Sequence, residues 1–174
     1  MDHTVEDLLV LPGQGKRIGS NIYIPIGTEH TGGVFSAMKV TLVPHQLLAP
    51  HTHDDEDQAV YVASGELEFE VGGEDGLRFT VPPGGFVRKP AGVEHCFWNA
   101  TDTPSDYIEL NAGVEFQKLV EKSDKGPIRM AMDAKKHGVN VNFKRIPGLL
   151  AKHRLTSVAT MNMPWEGKAM PKFG

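Results

Sequence analysis

Three histidines in the middle of the chain have the residue type and the spacing of metal ligands. His51 and His53 are two residues apart, and His95 follows more than forty residues later. Side chains at positions i and i+2 of an extended strand point to the same face, so the first two imidazoles are predicted to lie side by side. Short apolar segments separated by glycine and proline lie between this pair and His95, and they are typical of strands that fold back on one another. The sequence therefore predicts that the three imidazoles meet as a metal site inside a β-barrel.

The residues around these histidines match a two-part signature. The first part contains His51, His53 and Gly65. The second part is complete, and its five positions are filled by Gly84, Pro90, Gly92, His95 and Asn99. On these residues, the segment from about residue 27 to 115 resembles the cupin superfamily, and most of all the single-domain cupins of the quercetin 2,3-dioxygenase type. The resemblance implies an all-β fold, the double-stranded β-helix or jelly-roll barrel, with a metal ion held near its centre by histidines and a carboxylate.

One position departs from the signature, because Gln58 stands where the family has a glutamate. An amide carries no negative charge, so the metal would lose its anionic ligand, and affinity for hard cations should fall. The Gln58 oxygen can still bind the metal, or the side chain can donate a hydrogen bond to a bound water or substrate. A neighbouring acid could replace the glutamate, but Gln58 is favoured because it points inward in the same register as Val60 and Val62. The neighbouring acids are Asp54, Asp55, Glu56 and Asp57.

The chain divides into three parts by pattern. Residues 1–26 are predicted to form an N-terminal arm, residues 27–113 the cupin β-barrel, and residues 114–174 a C-terminal helical segment with an extension. Alternation of polar and apolar residues and the turn residues between them predict the strands of the barrel. These strands cover residues 34–43, 51–53, 58–63, 66–71, 77–81, 86–89, 95–99 and 105–110.

After the barrel the period changes to that of helices. One helix is predicted near residues 115–122, and a second starts after Pro127 and stops at Gly138. The extension that follows is basic and apolar, with 6 basic and 1 acidic side chains in residues 144–174, against 12 basic and 21 acidic in residues 1–143. We expect it to pack on its own barrel or on that of a partner subunit, and the second is favoured, which predicts a homodimer. The apolar residues of this prediction are Leu149, Leu150, Trp165 and Phe173.

Composition argues against several classes of protein. Cys96 is the single cysteine, so no intramolecular disulfide can form. No apolar stretch is long enough for a membrane span, and the N-terminus lacks the features of a secretory signal, so we expect a cytoplasmic protein without a membrane partner. The basic extension is interrupted by proline and glycine and lacks interleaved aromatics, so no nucleic-acid partner is expected.

These observations lead to a first hypothesis for function. The chain is expected to be a metal-dependent, quercetinase-like oxidoreductase that acts on a small organic substrate with an enol or phenol group. His51, His53 and His95 would hold one divalent transition metal ion (Fe, Ni, Zn, Mn or Cu), and Gln58 would be a further ligand or orient the substrate. A general base is not identified, since glutamine cannot accept the substrate's proton. The alternatives are a metal-dependent isomerase or lyase, and a non-catalytic small-molecule-binding cupin.

Overall fold

Twelve strands, four short α-helices and a 3-10 helix, Phe143–Arg145, are present in the described part of the chain. The structure is a computed structural model that describes residues 3–122 and 127–159. The helices are α1 Val5–Leu8, α2 Glu115–Glu121, α3 Pro127–Lys136 and α4 Ile146–His153. The strands are β1 Lys16–Ile18, β2 Ile22–Ile26, β3 Phe35–Leu42, β4 Gln46–His53, β5 Gln58–Ser64, β6 Leu67–Val71, β7 Leu77–Val81, β8 Phe86–Lys89, β9 His95–Trp98, β10 Ser105–Ala112, β11 Val139–Val141 and β12 Ser157–Ala159.

The strands form two sheets with their inner faces toward a common core. Sheet A has the strand order β1-β2-β3-β10-β5-β8, and sheet B has the order β11-β4-β9-β6-β7. β12 joins sheet B by pairing in parallel with β4. Most neighbours in both sheets are distant in the chain, which is the arrangement of a jelly roll. The predicted all-β fold, a double-stranded β-helix with short C-terminal helices, is therefore confirmed.

Alternating burial along the strands separates the core from the outer faces of the sheets. In β5, Val60 and Val62 are fully buried while Tyr61 between them is half-buried. Aromatic side chains fill the space between the sheets, with the Phe97 ring centre 4.6 Å from that of Phe69 and 5.2 Å from that of Tyr107. Such close packing makes the interior rigid and dry, so a polar side chain that points inward has few partners.

The first part of the extension covers the outer face of sheet B. Arg145 forms ion pairs with Glu70 and Glu94, and so links the extension to strands β6 and β9. Beside it a second apolar cluster joins α4 and β12 to the sheet. The cluster consists of Leu47, Ala49, Cys96, Trp98, Ile146, Leu149, Leu155 and Val158.

The sequence favoured a partner's barrel as the surface that the extension covers. Through Ala159, however, the extension packs on its own barrel, and Leu149 is 4% exposed within that cluster. Leu150 is partly buried against the same cluster. Trp165 and Phe173 lie outside the described residues. The homodimer stays a prediction.

Gly65 occupies the tight turn between β5 and β6. Its φ of +68° lies in the left-handed region, which disfavours residues with a Cβ. A Cβ at this position would lie 2.9 Å from the Ser105 Cβ and 3.0 Å from the Ser105 Cα. Ser105 cannot move freely, because its hydroxyl donates a hydrogen bond to the Glu66 carbonyl at 3.0 Å. The turn therefore needs glycine for its conformation and for the close approach of β10.

We predict that Gly65→Ala lowers the free energy of unfolding by about 3 kcal/mol or more, because backbone strain and a steric clash add together. Gly32→Ala is the matched control, since Gly32 has φ +64° and nothing within 4 Å of an added Cβ. The control should cost only the backbone strain, about 1 kcal/mol. Urea denaturation of both variants measures the difference, and equal losses would contradict the proposed clash.

Candidate metal centre

Two strands of sheet B bring the three histidines together. His51 and His53 end β4, and antiparallel pairing of β4 with β9 places His51 directly opposite His95. The register of this pairing shifts between Leu48 and His51. Such a bulge inserts one residue and changes which positions face inward. Ala49 thus belongs to the outer cluster, while His51 and His53 turn toward the interior.

The three imidazoles lie close enough to share one ion. The ring centre of His51 is 4.4 Å from that of His95 and 4.9 Å from that of His53, and the centres of His53 and His95 are 5.6 Å apart. One ring nitrogen from each lies within 4.8 Å of the others, an arrangement that could hold a metal ion. All three side chains are buried. The spacing of the three histidines predicted that their side chains meet, and in the structure they do.

Backbone carbonyl groups orient two of the rings. The Nδ1 of His51 donates to the Ala49 carbonyl at 2.7 Å, and the Nδ1 of His95 donates to the Val93 carbonyl at 3.0 Å. A proton held at Nδ1 leaves the Nε2 lone pair free, which is the usual state of a metal-binding histidine. The Nε2 atoms of His53 and His95 are buried and have no hydrogen-bond partner among the described residues. A bound ion would satisfy both.

Gln58 lies beside this group with its oxygen free. Its Nε2 donates to the Asn111 Oδ1 at 2.8 Å, and the Nδ2 of Asn111 donates in turn to the Ser36 hydroxyl at 3.4 Å. This arrangement leaves the Gln58 Oε1 buried and without a partner among the described residues. The Nε2 is also 3.5 Å from the Nδ1 of His53, which is too long to determine the tautomer of that ring. Three imidazole nitrogens within 4.8 Å of one another therefore suit a transition metal ion, and Gln58 stands beside them.

Burial keeps the imidazoles neutral. It lowers the pKa of His51 to about 4 and that of His53 to about 2, and it places the pKa of His95 well below its usual range. Loss of hydration is the largest cause for each ring, because the charged imidazolium is the form that loses most on leaving water. The positive charge of Lys89 lowers all three pKa values further. The rings are thus ready to bind a cation without first losing protons.

The acidic residues that precede Gln58 do not join the histidines. Asp54, Asp55 and Asp57 are exposed. Glu56 instead accepts hydrogen bonds from the backbone N–H groups of Glu115 and Phe116, at 2.7 and 3.0 Å, at the start of α2. Their roles are therefore those of a solvated loop and a helix cap.

Three residues near the centre were missed by the sequence analysis. They are Asn111, which orients Gln58, and the buried ion pair of Lys89 and Glu109. The sequence contains part of the information needed to find them. Tyr107, Glu109 and Asn111 alternate along β10, and all three are buried. A glutamate and an asparagine in a strand usually indicate the wet face of a sheet, so the pattern alone did not place them inside.

Two openings in the surface reach residues of the centre. One has a volume of about 200 Å³ and is lined by His53 together with Glu115 and His137. The other has a volume of about 230 Å³ and is lined by Gln58 and Lys89. Pockets that enclose a drug-sized ligand measure roughly 300–1,000 Å³, so each opening suits a small molecule.

One segment of the chain matches a known family of sequences. Residues 38–111 match the sequence model of the family described as Cupin domain. The matched segment runs from β3 to β10 and includes all three histidines and Gln58. No curated protein matches the sequence.

Several solved structures are similar to part of this chain. KdgF from Halomonas sp. is 25% identical, with 53% of this chain and 76% of that chain covered and a TM-score of 0.46. A sugar phosphate isomerase of the cupin superfamily from Silicibacter pomeroyi is 24% identical, covering 55% and 61%, with a TM-score of 0.46. An uncharacterized protein with a double-stranded β-helix domain from Klebsiella pneumoniae is 18% identical, covering 64% and 89%, with a TM-score of 0.46.

Helices of the described residues are all too short or too polar to cross a membrane. The longest of them, α3, has 10 residues, whereas a span needs about 20 apolar residues. None of these helices therefore qualifies as a span.

We predict that metal affinity changes little between pH 7.5 and pH 5.5. The His51 pKa of about 4 leaves that imidazole neutral throughout this range, and the lower pKa values of the other two rings do the same. Three imidazoles with the ordinary pKa of 6.5 would instead lose affinity by a factor of roughly a thousand, because each must first lose a proton. Calorimetric titration with Ni²⁺ at both pH values measures the change, and a loss approaching that factor would contradict the burial of the rings.

We predict that Gln58→Glu raises the affinity for Mn²⁺ by about tenfold or more, since it adds an anionic oxygen beside the histidines in a poorly hydrated site. Gln14→Glu adds the same charge at an exposed position and should leave the affinity unchanged. Titration of both variants and the unmodified protein at one pH provides the comparison. Unchanged or weaker binding to Gln58→Glu would place residue 58 outside the ligand set.

Proposed function

We propose that this chain is a metal-dependent cupin enzyme that holds one divalent transition metal ion at His51, His53 and His95, with the Gln58 oxygen as a fourth ligand. The observation that carries the proposal is that the three imidazoles lie together, with the buried Nε2 atoms of His53 and His95 unpartnered among the described residues, and that the oxygen of the neighbouring Gln58 is unpartnered as well. Leaving a buried polar atom unsatisfied costs about 1–3 kcal/mol, and one bound ion would remove that cost at several atoms together. An ion bound to the imidazole nitrogens would give these atoms the partner that buried polar atoms usually have.

The types of ligand atom limit which metal ions suit the site. Imidazole-rich sites suit Fe, Ni, Zn and Cu, whereas Mn and Mg prefer carboxylates. Because three imidazoles and an amide are all neutral, the charge of a divalent ion would stay uncompensated by its protein ligands. An ionised oxygen on the substrate would supply the missing negative charge. We infer that the substrate is a small organic molecule with an enol or phenol group.

A divalent ion bound here would act as a Lewis acid that makes a coordinated hydroxyl group more acidic. The protein's own residues would shape and dry the site. Phe116 packs edge-on against His53 with 4.9 Å between ring centres, and Phe97 follows His95 on the inner face of β9. Gln58 can orient a substrate through its amide, but it cannot accept a proton.

Oxidation of such a substrate by O2 is the first reaction class, as in the quercetinase-like cupins that the sequence resembles. The imidazole-rich donor set supports it, since that set suits redox-active Fe, Cu and Ni. Isomerisation or elimination without O2 is the second candidate. One observation favours it. Gln58 stands where a carboxylate could take the substrate's proton, and a glutamine cannot accept that proton. Ligand binding without catalysis remains the alternative from outside the enzymes.

We predict that His53→Ala abolishes binding of the metal ion while the barrel stays folded, because the core of Phe69, Phe97 and Tyr107 does not include the site. Elemental analysis of protein purified without added metal should give about one ion per subunit, and far less in the variant. His45→Ala is the control, since His45 pairs with Asp102 on the surface and should keep its metal. Equal metal content in His53→Ala and the unmodified protein would show that His53 does not bind the metal ion.

Oxygen consumption then separates the two reaction classes. The metal-loaded protein is incubated with flavonols, catechols and β-diketones in an oxygen electrode, and each mixture is analysed for products. Uptake of O2 that requires His53 supports the oxidoreductase. Conversion of a substrate without O2 uptake supports isomerase or lyase chemistry, and a bound ion with no conversion of any compound supports the binding protein.

A further inference from the structure

An ion pair is buried inside the barrel, next to the candidate centre. The Lys89 ammonium on β8 donates to the Glu109 carboxylate on β10, and the two side chains are 0% and 5% exposed. Both strands are direct neighbours of β5, the strand that carries Gln58. The proposed function does not use either residue, although both lie on the inner face of sheet A, across from the histidines of sheet B.

Strand register orients this ion pair relative to the centre. Lys89 is the direct partner of Gln58 in the pairing of β5 with β8, so the two side chains stand side by side. Glu109 is the partner of Val60, two residues farther along β5. The side chain of Lys89 therefore starts from the backbone position next to Gln58, and that of Glu109 starts two residues farther along.

The surroundings of the two groups agree with this orientation. Lys89 lines the opening that also contains Gln58. Glu109 instead lines a separate internal cavity of about 30 Å³ with Met38, Gln46 and Tyr107. The charge of Lys89 also contributes to the lowered pKa values of all three histidines, whereas Glu109 is not among the causes for any of them.

Stability alone does not account for a buried ion pair. Taking both charges out of water costs more than their attraction returns in many proteins, and apolar residues of similar volume often stabilise the same position. The field of such a pair does act on whatever binds beside it, because a poorly hydrated interior screens charge weakly. Here the pair stands on the two strands that flank β5, and Lys89 is the strand partner of Gln58.

We propose that Lys89, held in place by Glu109, makes the centre selective for anionic ligands, so that the substrate class is an ionised enol, phenol or carboxylate rather than a neutral molecule. The inference rests on the proposed metal site and assigns to Lys89 the selection of an anionic substrate. Lys89 supplies the charge, and Glu109 acts as a positioning residue that holds the ammonium in place by accepting its hydrogen bond.

The test compares a small anion with a neutral ligand on the Co²⁺-loaded protein. Azide and imidazole are titrated, and binding is followed by the change in visible absorption of the cobalt ion. Lys89→Met should weaken azide binding by roughly tenfold or more and change imidazole binding by less than about twofold, since only the anion interacts with the lost charge. Lys39→Met is the matched control, because Lys39 also pairs with a carboxylate, that of Asp106, but is 50% exposed on the outer face of the sheet. The control should change neither affinity.

A second variant covers the case in which the unpaired Glu109 prevents folding. Lys89→Met combined with Glu109→Met replaces both charges by apolar side chains of similar length, and it should fold, bind Co²⁺ and show the same selective loss of azide affinity. Unchanged azide binding, or equal weakening of azide and imidazole, in either folded variant would overturn the proposal. Failure of the unmodified protein to bind Co²⁺ would instead refute the proposed function, so the two failures are distinguishable.

Discussion

The pairing of β4 with β9 is the contact on which the candidate centre depends. It places His51 opposite His95, and the bulge between Leu48 and His51 turns the last histidines of β4 inward. The other edge of β4 is also paired, with β11 beside His51 and His53 and with β12 near the start of the strand. Backbone hydrogen bonds therefore hold β4 on both sides, and the sheet fixes the positions of the imidazoles. Sites built on paired strands keep their geometry better than sites on loops.

Burial gives this position its chemical character. Removal of the rings from water lowers their pKa values, so they stay neutral and keep a lone pair available. The same burial leaves polar atoms of His53, His95 and Gln58 without a hydrogen-bond partner among the described residues. Buried polar atoms without partners lower the stability of the fold, and such a loss is common at functional sites. Phe116 packs edge-on against His53, with 4.9 Å between ring centres, and limits how far that ring can move.

Charge balance inside the barrel links the ligands to the rest of the interior. The proposed ligands are neutral, and the charged groups nearest to them belong to the Lys89 and Glu109 pair. Asn111 connects the two features, because it bonds Gln58 and follows Glu109 by two residues on β10. The outer layer contributes in another way. Arg145 bridges Glu70 and Glu94, and Glu94 precedes His95, so the extension after the barrel helps to hold the start of β9.

Local patterns in the sequence determined the class of fold, the positions of most strands and the three histidines. The strands over residues 77–81 and 86–89 coincide with β7 and β8, and the inward direction of Gln58 followed from alternation with Val60 and Val62. These features depend on a period of two residues, which each strand carries in its own sequence. The bulge in β4, the partnership of Asn111 with Gln58 and the meeting of Lys89 with Glu109 were decided by tertiary structure, because each depends on the register between strands distant in the chain. Leu149 illustrates the same limit, since its apolar character required burial, but only the packing of α4 on sheet B decided which surface would bury it.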